Sequence, residues 1–222
     1  MMRTCIRELL SPFLATPLAA SQVDQISIYI DLLLRWNSRV NLTAIRDPEQ
    51  MVTRHLGESL FAARHLLPDP DASLKSSSEL AAGAHIIDLG SGAGFPGLAI
   101  KIWSPKSPMT LIESNHKKVA FLREVIRTLP LTSIDVFAGR AEEYPATSAA
   151  LVTVRAVERL GSILQTAAAL TTTPGRLALL IGSSQVRDAQ TTLPQLSWAH
   201  SIAIPCSASR VLLVGEHTQG TR

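Results

Sequence analysis

A glycine-rich turn is the part of the sequence best suited to binding a nucleotide. Residues 86–97 read IIDLGSGAGFPG, an apolar strand pattern that leads into a turn and then into the start of a helix. Gly90, Gly92, Gly94 and Gly97 permit a tight turn and let a ligand approach bare backbone, and the first turn of the helix offers unpaired N–H groups. The segment therefore predicts a site for a nucleotide-bearing cofactor.

Two classes of cofactor are compatible with this turn. Gly92, Gly94 and Gly97 satisfy the spacing of the dinucleotide fingerprint, which keeps an NAD(P)-dependent oxidoreductase open. Asp88, at the strand end ahead of Gly90, resembles the first motif of class I methyltransferases, whereas dinucleotide sites usually carry a hydrophobic residue there. We therefore favour S-adenosyl-L-methionine as the cofactor.

Three further strand ends carry candidate binding residues. Glu113 ends the next apolar run, at about the 20-residue interval at which an acidic side chain meets ribose hydroxyls, and it would serve either cofactor. Ala141 and Glu142 follow the third run, where backbone amides and one acid can read the edge of an adenine. Arg155 follows the fourth run, where it could hold a carboxylate or a phosphate, or form a surface ion pair with Glu158.

Alternating strands and helices are needed to bring these positions together. Five short apolar runs suit central strands, at 85–89, 109–113, 134–137, 151–154 and 177–181. Helical patterns at 119–129 and 160–167 alternate with them, and we expect the second to stop at Pro174 and Gly175. This alternation implies a parallel sheet with its ligands at the carboxyl ends of the strands. The tail over 198–214 is predicted to form two further strands, an antiparallel edge pair.

Helices are predicted ahead of the sheet. Apolar residues recur at helical spacing over 23–40, and Asp47 followed by Pro48 predicts the start of a second helix that ends at Pro68. We predict an α/β fold, a Rossmann-like class I methyltransferase sheet with a helical N-terminal extension. The predicted division is a helical extension over 1–68, a linker over 69–83 and a methyltransferase domain over 84–222, packed as one unit.

Composition and charge indicate which partners and which cellular compartment to expect. The net charge of +3 would assist binding to a polyanion but does not identify one. Cys5 and Cys206 lie at opposite ends without Cys-x-x-Cys spacing, so we expect neither a disulfide nor a metal site. The N-terminal stretch is interrupted by Glu8 and Pro12, and no apolar run approaches the roughly 20 residues of a membrane-spanning helix. We expect a soluble, cytoplasmic protein without a membrane partner.

Several longer stretches resemble one family, the bacterial small-subunit ribosomal RNA guanine-N7 methyltransferases G, also called glucose-inhibited division protein B. The matching stretches are 36–37, 41–45, 54–60, 88–97, 117–123, 140–143 and 155–156. They cover most of the chain, and the helical lead-in is uncommon among other methyltransferases. The resemblance is therefore more specific than the glycine turn alone.

The resemblance implies methylation of N7 of a guanine in 16S ribosomal RNA, with S-adenosylmethionine as the methyl donor. It implies cofactor contacts at Gly90, Phe95, Ala141, Glu142 and Arg155. Together with the turn and the ribose acid, the predicted cofactor set is Gly90, Ser91, Gly92, Phe95, Glu113, Ala141, Glu142 and Arg155. The candidate RNA contacts are Arg54, His55, Arg123 and Arg140. We expect a monomer that acts on small-subunit RNA or its assembly intermediate.

No catalytic residue is predicted, because guanine N7 offers a lone pair without a proton and needs no general base. Two positions depart from the family pattern. Ile181 stands where the family commonly has Lys before the glycine that ends the fifth strand, and no basic residue follows the last strand near Val214. These departures keep open a non-catalytic RNA-binding or assembly protein that retains the fold. Glu58, in place of the more usual Asp, keeps the charge.

Overall fold

The computed structural model describes residues 3–67, 83–145, 149–155 and 160–217. Within these ranges an eight-stranded sheet has the order β3-β2-β1-β4-β5-β8-β6, and β7 also pairs with β8. The strands are β1 (Ile86–Leu89), β2 (Met109–Glu113), β3 (Ile134–Ala138), β4 (Ala149–Arg155), β5 (Thr171–Gly182), β6 (Ser197–Trp198), β7 (Ile202–Ala203) and β8 (Arg210–His217). The first five strands are parallel, and β8 runs antiparallel to β5. The predicted Rossmann-like sheet is confirmed.

Helices cover the sheet and form the N-terminal extension. They are α1 (Arg3–Leu10), α2 (Ala20–Asn37), α3 (Pro48–Gln50), α4 (Glu58–Leu66), α5 (Gly97–Trp103), α6 (His116–Thr128), α7 (Leu160–Ala169) and α8 (Val186–Thr192). A π-helical segment, Met51–Gly57, joins α3 to α4. The carboxylate of Asp47 accepts a hydrogen bond from the Gln50 N–H at 2.8 Å, so the predicted cap of this helix is present. The sequence pattern did not predict α1.

The predicted boundary at Pro174 and Gly175 is wrong. Helix α7 already ends at Ala169, and β5 begins at Thr171, so both residues lie within the strand. The pairing of β4 with β5 shifts register between Ala149 and Leu151, which leaves residues 172–175 without partners in β4, although Gly175 pairs with His217 of β8. Because proline has no N–H to donate, such an irregularity is where a strand tolerates it.

The prediction of two strands in the tail is also partly wrong. The tail forms three strands, because two short strands, β6 and β7, both pair antiparallel with β8. The antiparallel arrangement is as expected, whereas the number of strands is not. The long strand β8 places Arg210 at one end of the sheet, opposite Gly182 of β5.

The N-terminal extension and the sheet share one hydrophobic core. Ile26 and Ile30 of α2 and Leu60 of α4 belong to the same buried cluster as Ile100 of α5 and Leu180 of β5. A second cluster on the opposite face joins the sheet to α7 and α8. Each large apolar side chain in such a core contributes about 1.5–3 kcal/mol, so the extension is held to the sheet by many small increments. The predicted linker lies outside the described residues except for Gly83.

None of the described helices is both long enough and apolar enough to cross a membrane.

Candidate active site

The glycine turn after β1 presents bare backbone to an open groove. Gly90, Gly92 and Gly94 have φ values of +72°, +59° and +93°, a region that L side chains rarely adopt. The Gly90 and Ser91 N–H groups donate to the Ile112 carbonyl at 2.9 and 3.0 Å, which fixes the turn to β2. A Cβ atom on Gly90 would meet no heavy atom of the described structure within 4 Å. Space for a ligand therefore lies directly over Gly90.

Asp88 supports this turn from below. Its side chain is fully buried, Oδ2 accepts from the Gly97 N–H at 3.0 Å, and Oδ1 accepts from Thr153 Oγ1 at 2.8 Å. Burial raises the pKa of Asp88 to about 6, although these hydrogen bonds act in the opposite direction. A Cβ on Gly97 would lie 2.6 Å from Asp88 Oδ2, so only glycine permits this approach. Asp88 anchors the start of α5 and does not line the groove.

On one side of Gly90 lies a pocket formed by strand ends, here called the strand-end pocket. It is lined by Leu89, Gly90, Ile112, Glu113, Ser114, Gly139, Arg140, Ala141, Glu142 and Ile163. Glu113 is buried, its Oε2 accepts from the Gly92 N–H at 2.8 Å and its Oε1 accepts from the Asn115 N–H at 2.7 Å. Each carboxylate oxygen retains further acceptor capacity, so Glu113 can also accept from a hydroxyl group. The structure thus brings Gly90, Glu113, Ala141 and Glu142 together.

On the other side lies a pocket built jointly with the N-terminal extension, here called the extension-side pocket. It is lined by Leu42, Thr43, His55, Gly90, Ser91, Gly92, Ala93, Phe95, Lys118 and Arg155. The Phe95 ring stacks with Tyr29 at 5.3 Å and with His55 at 4.8 Å between centroids. Burial raises the pKa of Tyr29 well above its ordinary value, and its hydroxyl donates to the Ala93 carbonyl. Helix α2 is therefore connected directly to the turn.

Arg155 is held by residues far away in the sequence. Its Nη1 donates to His55 Nδ1 at 3.1 Å, and its Nη2 donates to Glu58 Oε2 at 2.9 Å and to the Arg54 carbonyl at 2.5 Å. Its side chain is 11% exposed, and that of Glu58 is 3% exposed. The alternative partner Glu158 lies outside the described residues. The observed ion pair is buried and joins the sheet to the extension.

His55 is neutral in this arrangement. Because arginine can only donate, His55 Nδ1 must accept, and Nε2 carries the hydrogen that it donates to Thr43 Oγ1 at 2.7 Å. Burial, and then the charges of Arg155, Arg54 and Arg210, lower the pKa of His55 to about 3. His55 therefore forms part of the pocket wall and carries no charge for RNA at pH 7.

The remaining RNA candidates are exposed and lie on different elements. Arg54 lies next to Glu58, Arg140 lines the strand-end pocket, and Arg123 lies on α6. The structure does not gather these three side chains into one described pocket. Two larger surface hollows lie away from the turn, one along residues 7–18 and one beside Trp36 and Glu124.

Sequence reasoning missed four residues of the site. Thr43 and Lys118 fall within stretches that carried the family resemblance, so a signal for them was present. Tyr29 and Arg210 had no such signal, because only the folded chain brings α2 and β8 to this edge. The departure at Ile181 is buried and pairs with Val211, whereas Arg210 pairs with the adjacent Gly182. A basic side chain thus reaches this edge of the sheet from another strand.

No cluster of three or more His, Cys, Asp or Glu side chains that could hold a metal ion occurs in the described part of the chain.

Comparison with known proteins assigns the chain to a family. The family model described as rRNA small subunit methyltransferase G matches residues 22–207. A protein named Ribosomal RNA small subunit methyltransferase G from Chloroflexus aggregans is 37% identical over 210 residues, which span 89% of this chain and 83% of the relative. The protein of the same name from Halorhodospira halophila is 36% identical over 178 residues, 80% of this chain and 78% of that relative.

Solved structures share the fold at low sequence identity. TYW2 of Pyrococcus horikoshii, determined in complex with MeSAdo, has a TM-score of 0.56 and 14% identity over 72% of this chain and 62% of its own. A SAM dependent methyltransferase from Aquifex aeolicus has a TM-score of 0.51 and 14% identity, covering 60% of this chain and 81% of its own. The open glycine turn and the sheet order are consistent with the family whose model matches residues 22–207. This chain belongs to the rRNA small subunit methyltransferase G family.

Proposed function

We propose that this chain is an S-adenosylmethionine-dependent enzyme that methylates N7 of a guanine in 16S ribosomal RNA. The observation that carries the proposal is the open turn at Gly90, with an acid on one side and an arginine on the other, in a chain of this family. Neither the oxidoreductase nor the non-catalytic alternative is favoured, because the matching family and relatives are methyltransferases.

The two pockets suit the two halves of the cofactor. In the strand-end pocket, Glu113 is the acceptor for ribose hydroxyls, and Ala141 and Glu142 face the adenine. In the extension-side pocket, Ser91 and Gly92 offer backbone, Phe95 offers an apolar wall and Arg155 offers positive charge for a carboxylate. When bound, S-adenosylmethionine supplies an electrophilic methyl group on a sulfonium sulfur. Since Gly90 lines both pockets, one ligand can extend across the turn.

The chain's contribution to the reaction is positioning rather than proton transfer. The lone pair of guanine N7 is free of a proton, so no residue has to act as a base. The titratable groups agree with this role. Asp88 is buried beneath the turn, and both oxygens of Glu113 accept backbone N–H groups. Holding the acceptor in line with the methyl group can account for much of the rate acceleration.

The substrate side of the proposal rests on exposed basic residues. Arg54, Arg123 and Arg140 can neutralise RNA phosphates, and the net charge of +3 favours the same partner through counterion release. We assign His55 to the pocket wall instead, because it is neutral. We further propose that the chain acts as a cytoplasmic monomer, without a metal ion, on small-subunit RNA or its assembly intermediate.

The test is incubation of the protein with labelled S-adenosylmethionine and with 16S RNA, free or in small subunits, from cells that lack this modification. Mass mapping of the digested RNA should find the label on N7 of a guanine. Label at another position, or no label on either form of the RNA, would contradict the proposed substrate. Calorimetry with S-adenosylhomocysteine and with NAD(P) tests the cofactor separately, and binding of NAD(P) alone would reverse the choice.

A further inference from the structure

Glu58 is a buried acid surrounded by basic side chains from three parts of the fold. Its Oε2 lies 2.9 Å from Arg155 Nη2 and 3.5 Å from Arg210 Nε, and its Oε1 lies 3.9 Å from Arg54 Nε. Glu58 begins α4, Arg155 ends β4 and Arg210 begins β8. A single carboxylate oxygen therefore joins two arginines at the edge of the sheet where the pocket opens.

The cluster carries more positive than negative charge. Among the described residues that contact Glu58, three arginines face one glutamate and His55 is neutral; because Arg54 is exposed, the partly buried excess is one positive charge. The side chains of Arg155 and Arg210 are only 11% and 18% exposed. Two further charges face the same region, a negative one on Asp88 below the turn and a positive one on Lys118 in the pocket wall. Partly buried positive charge of this kind is costly unless an anion shares the site.

The two arginines are fixed rather than mobile. Arg155 also donates to His55 and to the Arg54 carbonyl, and Arg210 Nη2 donates to the Leu180 carbonyl at 2.8 Å. Two guanidinium groups side by side repel each other, and the shared oxygen of Glu58 offsets that repulsion. Since Arg155 lines the extension-side pocket, the position of Glu58 determines how this charge is presented there.

We propose that Glu58 is a positioning residue, whose carboxylate holds Arg155 and Arg210 together so that Arg155, which lines the extension-side pocket, binds an anionic oxygen of the reactants with the charge of Arg210 behind it. The oxygen belongs either to the carboxylate of the cofactor or to a phosphate of the RNA. The inference rests on the proposed function, because both ligands belong to it.

The variant Glu58→Gln separates positioning from charge balance. Glutamine has nearly the same shape but removes the negative charge, so simple electrostatics would strengthen the binding of an anion. Without the carboxylate, the repulsion between the two guanidinium groups is no longer offset and shifts them apart, and positioning therefore predicts weaker binding. Removing one member of a buried, hydrogen-bonded charge pair has large effects, so we expect a loss of about tenfold in affinity.

Two nucleosides and one RNA identify the source of the anion by calorimetry and filter binding. Methylthioadenosine lacks the amino-acid carboxylate that S-adenosylhomocysteine carries. If the cofactor carboxylate is the ligand, Glu58→Gln weakens S-adenosylhomocysteine about tenfold and leaves methylthioadenosine unchanged. If a phosphate is the ligand, both nucleosides are unchanged, and the affinity for a 16S RNA fragment falls about tenfold. Unchanged or stronger binding of all three ligands would overturn the proposal.

Matched variants exclude a merely structural effect. Glu49→Gln makes the same chemical change at an exposed position and should alter none of the affinities. Glu58→Asp keeps the charge and should stay within about threefold of the unmodified protein. A loss of folding alone lowers the melting temperature without changing the ratio of the two nucleoside affinities. If Glu58→Gln does not fold, Arg210→Gln should produce the same selective loss, and no selective loss in that folded variant would overturn the proposal.

Nucleoside binding by the unmodified protein distinguishes a failure of the proposed function from a failure of the role of Glu58. If it binds neither nucleoside, the proposed function fails. If it binds both and Glu58→Gln changes nothing, only the role of Glu58 fails.

Discussion

The two pockets on either side of Gly90 are built in different ways. The strand-end pocket uses short-range geometry, in which Glu113 at the end of one strand accepts an N–H from the turn after the neighbouring strand. The extension-side pocket uses side chains that are distant in the sequence, such as Arg155 and Glu58, which are 97 positions apart. The first pocket therefore follows from the parallel sheet itself, whereas the second exists only when the extension is docked.

This difference suggests a division of roles. A nucleoside site made of strand ends requires little beyond the sheet, and the same fold occurs in two solved structures that are only 14% identical to this chain. The residues of the extension that close the other pocket lie within the stretch matched by the family model. We therefore expect substitutions in the first pocket to affect every adenosine ligand, and those in the second to be selective.

The largest effect is expected at Gly90, where the pockets meet. Gly90→Val places a branched side chain in the open space over the turn and at a φ of +72°. We expect the affinity for S-adenosylhomocysteine to fall about a thousandfold or more, as measured by calorimetry. Gly83→Val is the control, since Gly83 has a φ of +85° and lies in neither pocket. Equal losses in the two variants would show that backbone strain, rather than the shared space, is responsible.

The next effect concerns Asp88, which supports the turn between the two pockets. Burial raises the pKa of Asp88 from 3.8 to about 6. The folded protein therefore binds the proton on Asp88 more tightly than the unfolded chain does. The stability that comes from this difference is fully present below pH 3.8 and is lost as the pH rises through 6. Asp88→Asn stays neutral, so its free energy of unfolding relative to the unmodified protein should rise by up to about 3 kcal/mol between pH 4 and pH 7.

Urea unfolding at several pH values measures this difference. Asparagine can accept from the Gly97 N–H and donate to Thr153 Oγ1, so the local hydrogen bonds can persist. A difference that does not change with pH would mean that Asp88 does not titrate in this range.

A smaller effect is expected at Glu113. Glu113→Gln replaces an oxygen acceptor with an amide that cannot accept from both backbone N–H groups. The affinities for S-adenosylhomocysteine and methylthioadenosine should fall together by about tenfold. This parallel loss contrasts with the selective loss expected for Glu58→Gln. A loss restricted to S-adenosylhomocysteine would contradict the assignment of Glu113 to the ribose.

The smallest effects concern RNA. Arg123→Gln and Arg140→Gln should each weaken RNA binding about threefold and reduce the salt dependence by about one unit of slope. Arg123→Gln, which alters a residue outside both pockets, should also leave nucleoside affinity unchanged. Arg187→Gln, which alters an exposed residue on α8, serves as the matched control. Filter binding over a series of salt concentrations measures both quantities. The same slope in all three variants and in the unmodified protein would remove Arg123 and Arg140 from the RNA interface.

The sequence predicted the local part of this structure well. The fold class and the family are confirmed, and the strand ends bring Gly90 and Glu113 together as their spacing indicated. Long-range pairing was not predictable in the same way. The sequence suggested Glu158, which lies outside the described residues, as a partner of Arg155, whereas the described structure pairs Arg155 with Glu58, which the chain alone did not indicate.

Pro174 and Gly175 show a second limit of prediction from the sequence. Both residue types usually end a helix, but here an irregularity in the pairing of β4 and β5 accommodates them. Their position depends on the neighbouring strand, which a local pattern does not describe.

The stack of Tyr29, Phe95 and His55 has a thermodynamic consequence. It joins two helical segments of the extension to the turn, so docking of the extension and ligand binding at the turn form one coupled equilibrium. Such coupling is reciprocal. If docking of the extension increases cofactor affinity by some free energy, a bound cofactor stabilises the docked extension by the same amount. Amide hydrogen exchange in α2 should therefore become slower when the cofactor is bound.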